Sequence, residues 1–241
     1  MNRTMATVRR VLTQLRHDHR TMALLLLVPV FLMALVSWVF SAPVFDQIGL
    51  AMLGIFPFIT MFLVTSIATL RERQTGTLER LLSMPMHKVD FILGYQLAFA
   101  VISLLQSALA VGVAVWLLDL NFAGPVWMAL VVAMSVAQLG TGLGLAISAL
   151  AQSEFQAVQF MPAIVIPQLF LCGLFVPREQ LNDILNPISD VLPLSYAVDV
   201  LQRVSVETSV SGQTWAKLGI VWAFVIGSVI VGSLTLKRRS V

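Results

Sequence analysis

The side chains that most often carry chemistry are few in this 241-residue chain and are spread along it. Cys172 is the single cysteine, so neither an intrachain disulfide nor a zinc-binding cysteine cluster can form. His17, His19 and His87 lie in charged segments, and a metal site there would need ligands from elsewhere. A phosphate-binding loop needs Gly-Lys, and no lysine here follows a glycine. The sequence predicts no metal, cofactor or nucleotide site in this chain.

The elements that would have to position any site are strongly apolar. Hydrophobic residues make up 58% of the chain, the mean hydropathy is +0.90, and only 27 residues are charged, being 15 Lys or Arg and 12 Asp or Glu. A soluble domain carries about 25% charged residues, so this composition excludes one. Six stretches contain no Asp, Glu, Lys or Arg: 21–45, 47–70, 91–118, 120–153, 155–177 and 218–236.

Each charge-free stretch reaches the ~18 residues that a helix needs to cross a hydrocarbon core. None shows the alternation of a barrel strand, and only helices and closed barrels satisfy their backbone in lipid. The sequence therefore predicts an all-α integral membrane protein, a single transmembrane domain over 1–241. Its six expected spans cover about 22–40, 48–70, 91–118, 126–150, 157–176 and 216–236.

The six charge-free stretches contain no His, Asp, Glu or Lys. An enzyme working inside the bilayer would need such groups, and ion-coupled carriers usually keep ionisable residues there. Backbone carbonyls can still bind Na⁺, so an ion-coupled carrier stays open as an alternative. Because the chain also lacks a nucleotide site, transport driven by ATP would need an ATPase on another chain.

The basic residues indicate the orientation. With six spans, the N-terminus, the loop 71–90, the turn 151–157 and the C-terminus share one side of the membrane, which holds twelve basic against five acidic residues, net +7. The other side holds three basic and seven acidic residues, net −4. Lys and Arg are retained on the cytoplasmic side, so both termini are predicted to be cytoplasmic. The basic excess lies next to lipid headgroups and does not indicate nucleic-acid binding.

Residues 1–20 have the pattern of an amphipathic interfacial helix. At 100° per residue the apolar side chains fall on one face and the arginines on the other, and the alternative is a frayed basic tail that only sets topology. The apolar positions are Met5, Val8, Val11, Leu12 and Leu15.

The loop 71–90 carries the strongest local signal. Its residues 71–85 read RERQTGTLERLLSMP, where Thr75 to Thr77 interrupt a helix, Leu78 to Leu82 form an amphipathic turn and Pro85 ends it. Such an element suits docking into a groove of a partner protein, with leucines as anchors and charges setting the register. A loop lying on headgroups is the alternative.

The order of these segments resembles the ABC-2 type transporter permeases. The resemblance is carried by the loop just quoted, by CGLFVPREQL at 172–181 and by VLPLSYAVDVLQ at 191–202, and it covers nearly the whole chain. It implies the membrane subunit of an ABC exporter in the plasma (inner) membrane of a prokaryote. The subunit would pair with a second permease copy or a paralogue, above two copies of an ABC ATPase subunit that uses ATP and Mg.

The resemblance maps the family's coupling helix onto residues 76–82 of the loop, which would sit in a groove of the ATPase. The residues predicted to couple to the ATPase are Arg71, Glu72, Arg73, Gly76, Thr77, Leu78, Glu79, Arg80, Leu81, Leu82 and Pro85. The resemblance also implies short re-entrant helices in the external segment 177–214, between spans five and six. Leucines and isoleucines recur there every three or four residues, from Leu181 to Leu192.

A candidate translocation path follows from the second and fifth spans, which border the dimer axis in such exporters. Its residues would be Phe56, Phe58, Thr60, Phe62, Pro162, Pro167, Gln168 and Phe170. Without charges, such a path favours a hydrophobic or amphipathic substrate: a drug, lipid or natural product. The alternative function is a passive channel or an ion-coupled secondary carrier.

Overall fold

A computed structural model describes residues 3–76 and 88–235 of the chain. Within these ranges the chain forms nine α-helices and one short 3₁₀ helix, Arg178–Gln180, and no β-strand. The α-helices are α1 (Arg3–His17), α2 (His19–Val39), α3 (Ala42–Gln74), α4 (Lys88–Trp116), α5 (Val126–Ser148), α6 (Glu154–Leu171), α7 (Leu185–Val191), α8 (Pro193–Val206) and α9 (Gly212–Thr235).

Six of these helices are long and apolar enough to cross a membrane: α2, α3, α4, α5, α6 and α9. The predicted all-α architecture with six membrane-crossing helices is confirmed. Several helices are longer than their charge-free stretch and include polar or charged residues at their ends. Thus α3 runs on through Arg71 to Gln74, and α4 begins at Lys88. In contrast, α6 ends at Leu171 because Gly173 adopts a positive φ of 87°.

Helices α3 and α5 form the centre of the bundle, and two glycines let them pack closely. A Cβ on Gly140 would fall within 3.0 Å of the Phe58 carbonyl oxygen, and one on Gly144 equally close to the Phe62 carbonyl oxygen. A Cβ on Gly142, on the opposite side of α5, would instead meet the Ser228 side chain of α9. Gly140 and Gly144 therefore bring backbone against backbone, as small residues do in membrane proteins.

Helix α1 lies against α4. Val8, Val11 and Leu15 are buried in a cluster with Phe91 and Tyr95, so protein covers most of the apolar face predicted from the sequence. Asp18 separates α1 from α2 as an N-cap that accepts hydrogen bonds from the Thr21 backbone and hydroxyl, and these hydrogen bonds lower the pKa of the Asp18 carboxyl. A position of α1 at the membrane surface stays a prediction.

Polar contacts near the helix ends lie at two opposite ends of the bundle. At one end, which we call the basic end, Thr4 donates to Asp90 and Arg10 pairs with Glu72. At the opposite end, the Asn121 backbone N–H donates to Asp46, and Lys217 pairs with Asp199. This sorting agrees with the sides predicted for the charged loops.

The segment between α6 and α9 lies at the opposite end and contains the two short helices α7 and α8. Ile184, Leu185 and Ile188, which belong to the leucine and isoleucine spacing at 181–192, are exposed in the chain. The buried helix of this segment is α8, whose side chains Leu194, Leu201 and their neighbours pack against α3 and α9. Re-entry of this segment into the membrane stays a prediction.

Candidate coupling end and translocation face

The predicted coupling residues fall at the end of α3. Arg71, Glu72 and Arg73 lie in its last turn, and Gly76 ends the segment with a φ of 72°. A positive φ is readily adopted by glycine and is common just after the end of a helix. The other predicted coupling residues, Thr77, Leu78, Glu79, Arg80, Leu81, Leu82 and Pro85, lie outside the described residues.

Arg10 joins three helices at the basic end. Its Nη1 lies 3.1 Å from both carboxylate oxygens of Glu72, and its Nη2 donates to the Tyr95 hydroxyl over 3.2 Å. The guanidinium carbon is 5.9 Å from the centroid of the Tyr95 ring. The Glu72 side chain is only 11% exposed and that of Arg10 26%. This largely buried pair fixes α1 to the last turn of α3, next to the predicted coupling loop.

The same turn of α3 is also bound to the chain between α5 and α6. Arg71 forms a two-point ion pair with Glu154, with nitrogen–oxygen distances of 2.7 and 3.0 Å. Gln74 Nε2 donates to the Gln152 carbonyl over 2.9 Å. The end of α3 therefore contacts the first residue of α6 directly.

Two further contacts complete this junction. Arg73 donates to the carbonyl oxygen of Ser148, the last residue of α5. Beneath the polar contacts, Leu70, Ala151 and Ala157 form a buried apolar cluster of their own, with Phe160 packed on it. The residues that make these contacts are together called the α3–α6 clamp: Leu70, Arg71, Arg73, Gln74, Ser148, Ala151, Gln152, Glu154, Ala157 and Phe160.

Helix α6 carries a continuous exposed face. Its residues recur at the spacing of one helix side over the whole membrane-crossing length: Val158, Gln159, Pro162, Ala163, Ile166, Pro167 and Phe170. The opposite side packs mainly against α3. We call the exposed side the α6 face.

The α6 face is not purely apolar. Pro162 and Pro167 have no N–H, so the carbonyls four residues earlier, Val158 and Ala163, lack their usual helical donor. Gln159 adds an exposed amide on the same face. In hydrocarbon each unsatisfied polar group costs several kcal/mol, so this face suits a water-filled cavity or another protein surface better than lipid.

The predicted path residues of α6 divide between two sides. Pro162, Pro167 and Phe170 lie on the α6 face, and Phe170 is 62% exposed. Gln168 is buried on the other side, where Nε2 donates to the Ile164 carbonyl and Oε1 accepts from the Leu194 backbone N–H. Gln168 thus connects α6 to α8 within the chain.

The predicted path residues of α3 lie mostly inside the bundle. Phe58 and Phe62 are fully buried, while Phe56 and Thr60 are half-buried. The Thr60 hydroxyl accepts a hydrogen bond from Gln106 of α4 over 2.8 Å, and so faces that helix. The structure therefore does not bring these four residues together with the α6 face as one surface.

Sequence reasoning missed a buried polar network between α4 and α5. Gln96 Nε2 donates to Gln138 Oε1 over 2.7 Å, and Gln138 Nε2 donates to the Ser103 hydroxyl over 2.7 Å. These side chains lie in charge-free stretches, where an amide is among the most polar groups present. The signal was present as isolated glutamines, but only the fold shows that they face one another.

Comparison with known families decides the identity of the chain. Residues 2–205 match the family model described as ABC-2 type transporter, which is most of the sequence. The chain belongs to the ABC-2 type transporter family. This match confirms the resemblance seen in the loop and in the external segment. As a member of this family, the chain is a membrane transport component.

Relatives of this ABC-2 chain are distant in sequence. A probable multidrug ABC transporter permease, YbhR of Escherichia coli K12, is 23% identical over 73% of this chain and 47% of its own length. ABC transporter G family member 20 of Dictyostelium discoideum is 21% identical over 80% of this chain and 27% of its own length. Nodulation protein J of Rhizobium leguminosarum bv. viciae is 24% identical over 70% of this chain and 64% of its own length. The chain spans about half the length of YbhR.

Proposed function

We propose that this chain is the membrane-spanning permease subunit of an ATP-driven ABC exporter. A separate ABC ATPase, present in two copies and using ATP and Mg, would dock on the loop 71–90 at the basic end. A second permease copy or a paralogue would complete the path. Membership in the ABC-2 family supports the ATPase partner and the dimer, and the excess of Lys and Arg at the basic end supports cytoplasmic termini in a prokaryotic plasma (inner) membrane.

The observation that carries the proposal is the α6 face. Prolines and Gln159 make it a poor surface for lipid, and it extends over the length of a membrane-crossing helix. In a dimer two such faces opposite one another would line a path with hydrophobic side chains and a few polar groups. Pro162, Pro167 and Phe170 are the path residues that we retain on this face.

A path of this composition fits a hydrophobic or amphipathic substrate. Its exposed side chains include Ile166 and Phe170, and none of the α6 face residues is charged. Sites for small molecules are mostly apolar with a few polar groups that set orientation. Two relatives, YbhR and YbhS, are named probable multidrug ABC transporter permeases, which supports the same class.

Labelling of single cysteines tests whether the α6 face contacts water. We expect Ala163→Cys, near the middle of α6, to react with a small membrane-impermeant methanethiosulfonate cation in intact membranes. Phe31→Cys is the matched control, because Phe31 is 59% exposed at the middle of α2, on a wholly apolar face. Cys172 is buried and should stay unlabelled in the parent chain. Equal, negligible labelling at positions 31 and 163 would place both in lipid and contradict the path.

A further inference from the structure

The α3–α6 clamp differs from the other contacts of α6. Along its length α6 rests on α3 with one side and leaves the α6 face uncovered. At its first residue, by contrast, Glu154 is held by a two-point ion pair, Gln74 donates to the Gln152 carbonyl in the preceding turn, and Arg73 donates to the last residue of α5. At the basic end, α6 is therefore joined to α3 by polar contacts as well as by packing.

Paired charges and packing make the clamp a stiff junction. The Arg71–Glu154 pair has two parallel nitrogen–oxygen contacts, a geometry that fixes orientation as well as distance. The ion pair itself is exposed, with 60% and 44% of the two side chains accessible, and adds only a few tenths of a kcal/mol to stability. The buried cluster of Leu70, Ala151 and Ala157 beneath it supplies the packing.

The clamp also lies next to the predicted coupling loop. Gln74 is the last residue of α3, and the loop that would dock on the ATPase follows it directly in the chain. A displacement of the loop therefore moves the last turn of α3 first. Because that turn is bound to the start of α6, the displacement reaches the helix that carries the α6 face without passing through the central α3–α5 packing.

We infer that the α3–α6 clamp transmits movement of the coupling loop to α6, with Arg71 and Glu154 as positioning residues. This inference rests on the proposed function and adds the route by which an ATPase would reach the path. Within the clamp, the ion pair sets the direction in which α6 follows α3, and the apolar cluster keeps the two helix ends in contact.

The test compares α6 labelling in two states of the ATPase. The complete complex is kept in native membranes, and Ala163→Cys is labelled with the methanethiosulfonate cation in the presence of MgATP alone or MgATP with vanadate. In the parent chain we expect the labelling rate to change by at least ~5-fold, the lower range of coupling between distant sites. With Glu154→Arg, which opposes two positive charges, we expect the change to fall below ~2-fold.

A reciprocal exchange separates transmission from folding. Arg71→Glu combined with Glu154→Arg rebuilds the pair in reverse and should restore most of the vanadate response. Glu154→Gln is the milder variant if Glu154→Arg lowers the thermal unfolding temperature. For Glu154→Arg and Glu154→Gln, which alter no predicted coupling residue, the amount of co-purified ATPase and its hydrolysis rate should stay close to those of the parent chain. The reciprocal exchange also alters Arg71, a predicted coupling residue, so its labelling is compared with that of the parent at equal amounts of co-purified ATPase.

The outcomes distinguish the two proposals. If the parent responds to vanadate and Glu154→Arg responds equally, the clamp does not transmit movement, while the exporter proposal stands. A lost response that the reciprocal exchange fails to restore also overturns the role of the ion pair. If the parent itself shows no response and no ATPase co-purifies, the exporter proposal fails and the inference falls with it.

Discussion

Gly140→Ala and Gly144→Ala should each destabilise the folded chain. The added methyl group at Gly140 would meet the backbone oxygen of Phe58, which cannot rotate away, so α3 and α5 must separate. Overpacking of this kind costs typically ~1–3 kcal/mol, and separation of the two central helices should place Gly140→Ala at the upper end. Thermal unfolding of the purified chain in detergent, followed by its size-exclusion profile, measures the loss.

Two glycines of α9 provide the matched control. An added Cβ at Gly219 or Gly227 meets no atom within 4 Å. Alanine is favoured over glycine in helices by ~1 kcal/mol, so Gly219→Ala and Gly227→Ala should leave the unfolding temperature unchanged or raise it. If alanine at 140 behaves like alanine at 227, the close α3–α5 packing is wrong.

Arg10→Gln should have the second large effect. The substitution leaves the Glu72 carboxylate, 11% exposed, without its cation and removes a donor from the Tyr95 hydroxyl. Loss of one partner from a fully buried pair costs ~3–5 kcal/mol, and the partial exposure of Arg10 reduces the expected loss to about 2 kcal/mol. The measurement is the thermal unfolding temperature of the purified chain.

Arg9→Gln is the control for the second prediction, because Arg9 is exposed on the same helix. Removal of an exposed arginine should change stability by less than ~0.5 kcal/mol. Arg10→Glu combined with Glu72→Arg should recover part of the loss if the two side chains interact directly. Equal effects of the two glutamine substitutions, with no recovery in the exchanged pair, would contradict the contact.

The sequence predicted the membrane-crossing helices better than the surfaces between them. A charge-free stretch indicates burial in lipid or protein, and it therefore identified the six spans. It did not indicate where each helix ends, because a helix can continue into charged residues. Residues 71–74 continue α3, where Arg71 pairs with Glu154 and Gln74 donates to the Gln152 carbonyl. These partners are distant along the chain, so a single sequence does not reveal them. For the same reason the Gln96–Gln138 contact was missed.

The candidate path could be predicted in part. Prolines in a membrane-crossing stretch leave backbone carbonyls without a donor wherever they occur, so the carbonyls freed by Pro162 and Pro167 can be identified without knowledge of the fold. Phe58 and Phe62 carried no such signal, since a phenylalanine fits a core, a path or lipid equally well, and both are buried in the bundle. Gly140 and Gly144 allow α5 to pack closely against α3 at Phe58 and Phe62.

The most direct test of the account is purification of the affinity-tagged chain from its native membranes. We predict that an ABC ATPase co-purifies with it, one copy per permease chain, and that Leu81→Asp or Glu79→Lys releases the ATPase while the unfolding temperature of the bundle is unchanged. Glu179→Lys, an exposed charge reversal at the opposite end, should retain the ATPase. Absence of any ATPase, or transport by the isolated chain along an ion gradient without ATP, would contradict the account.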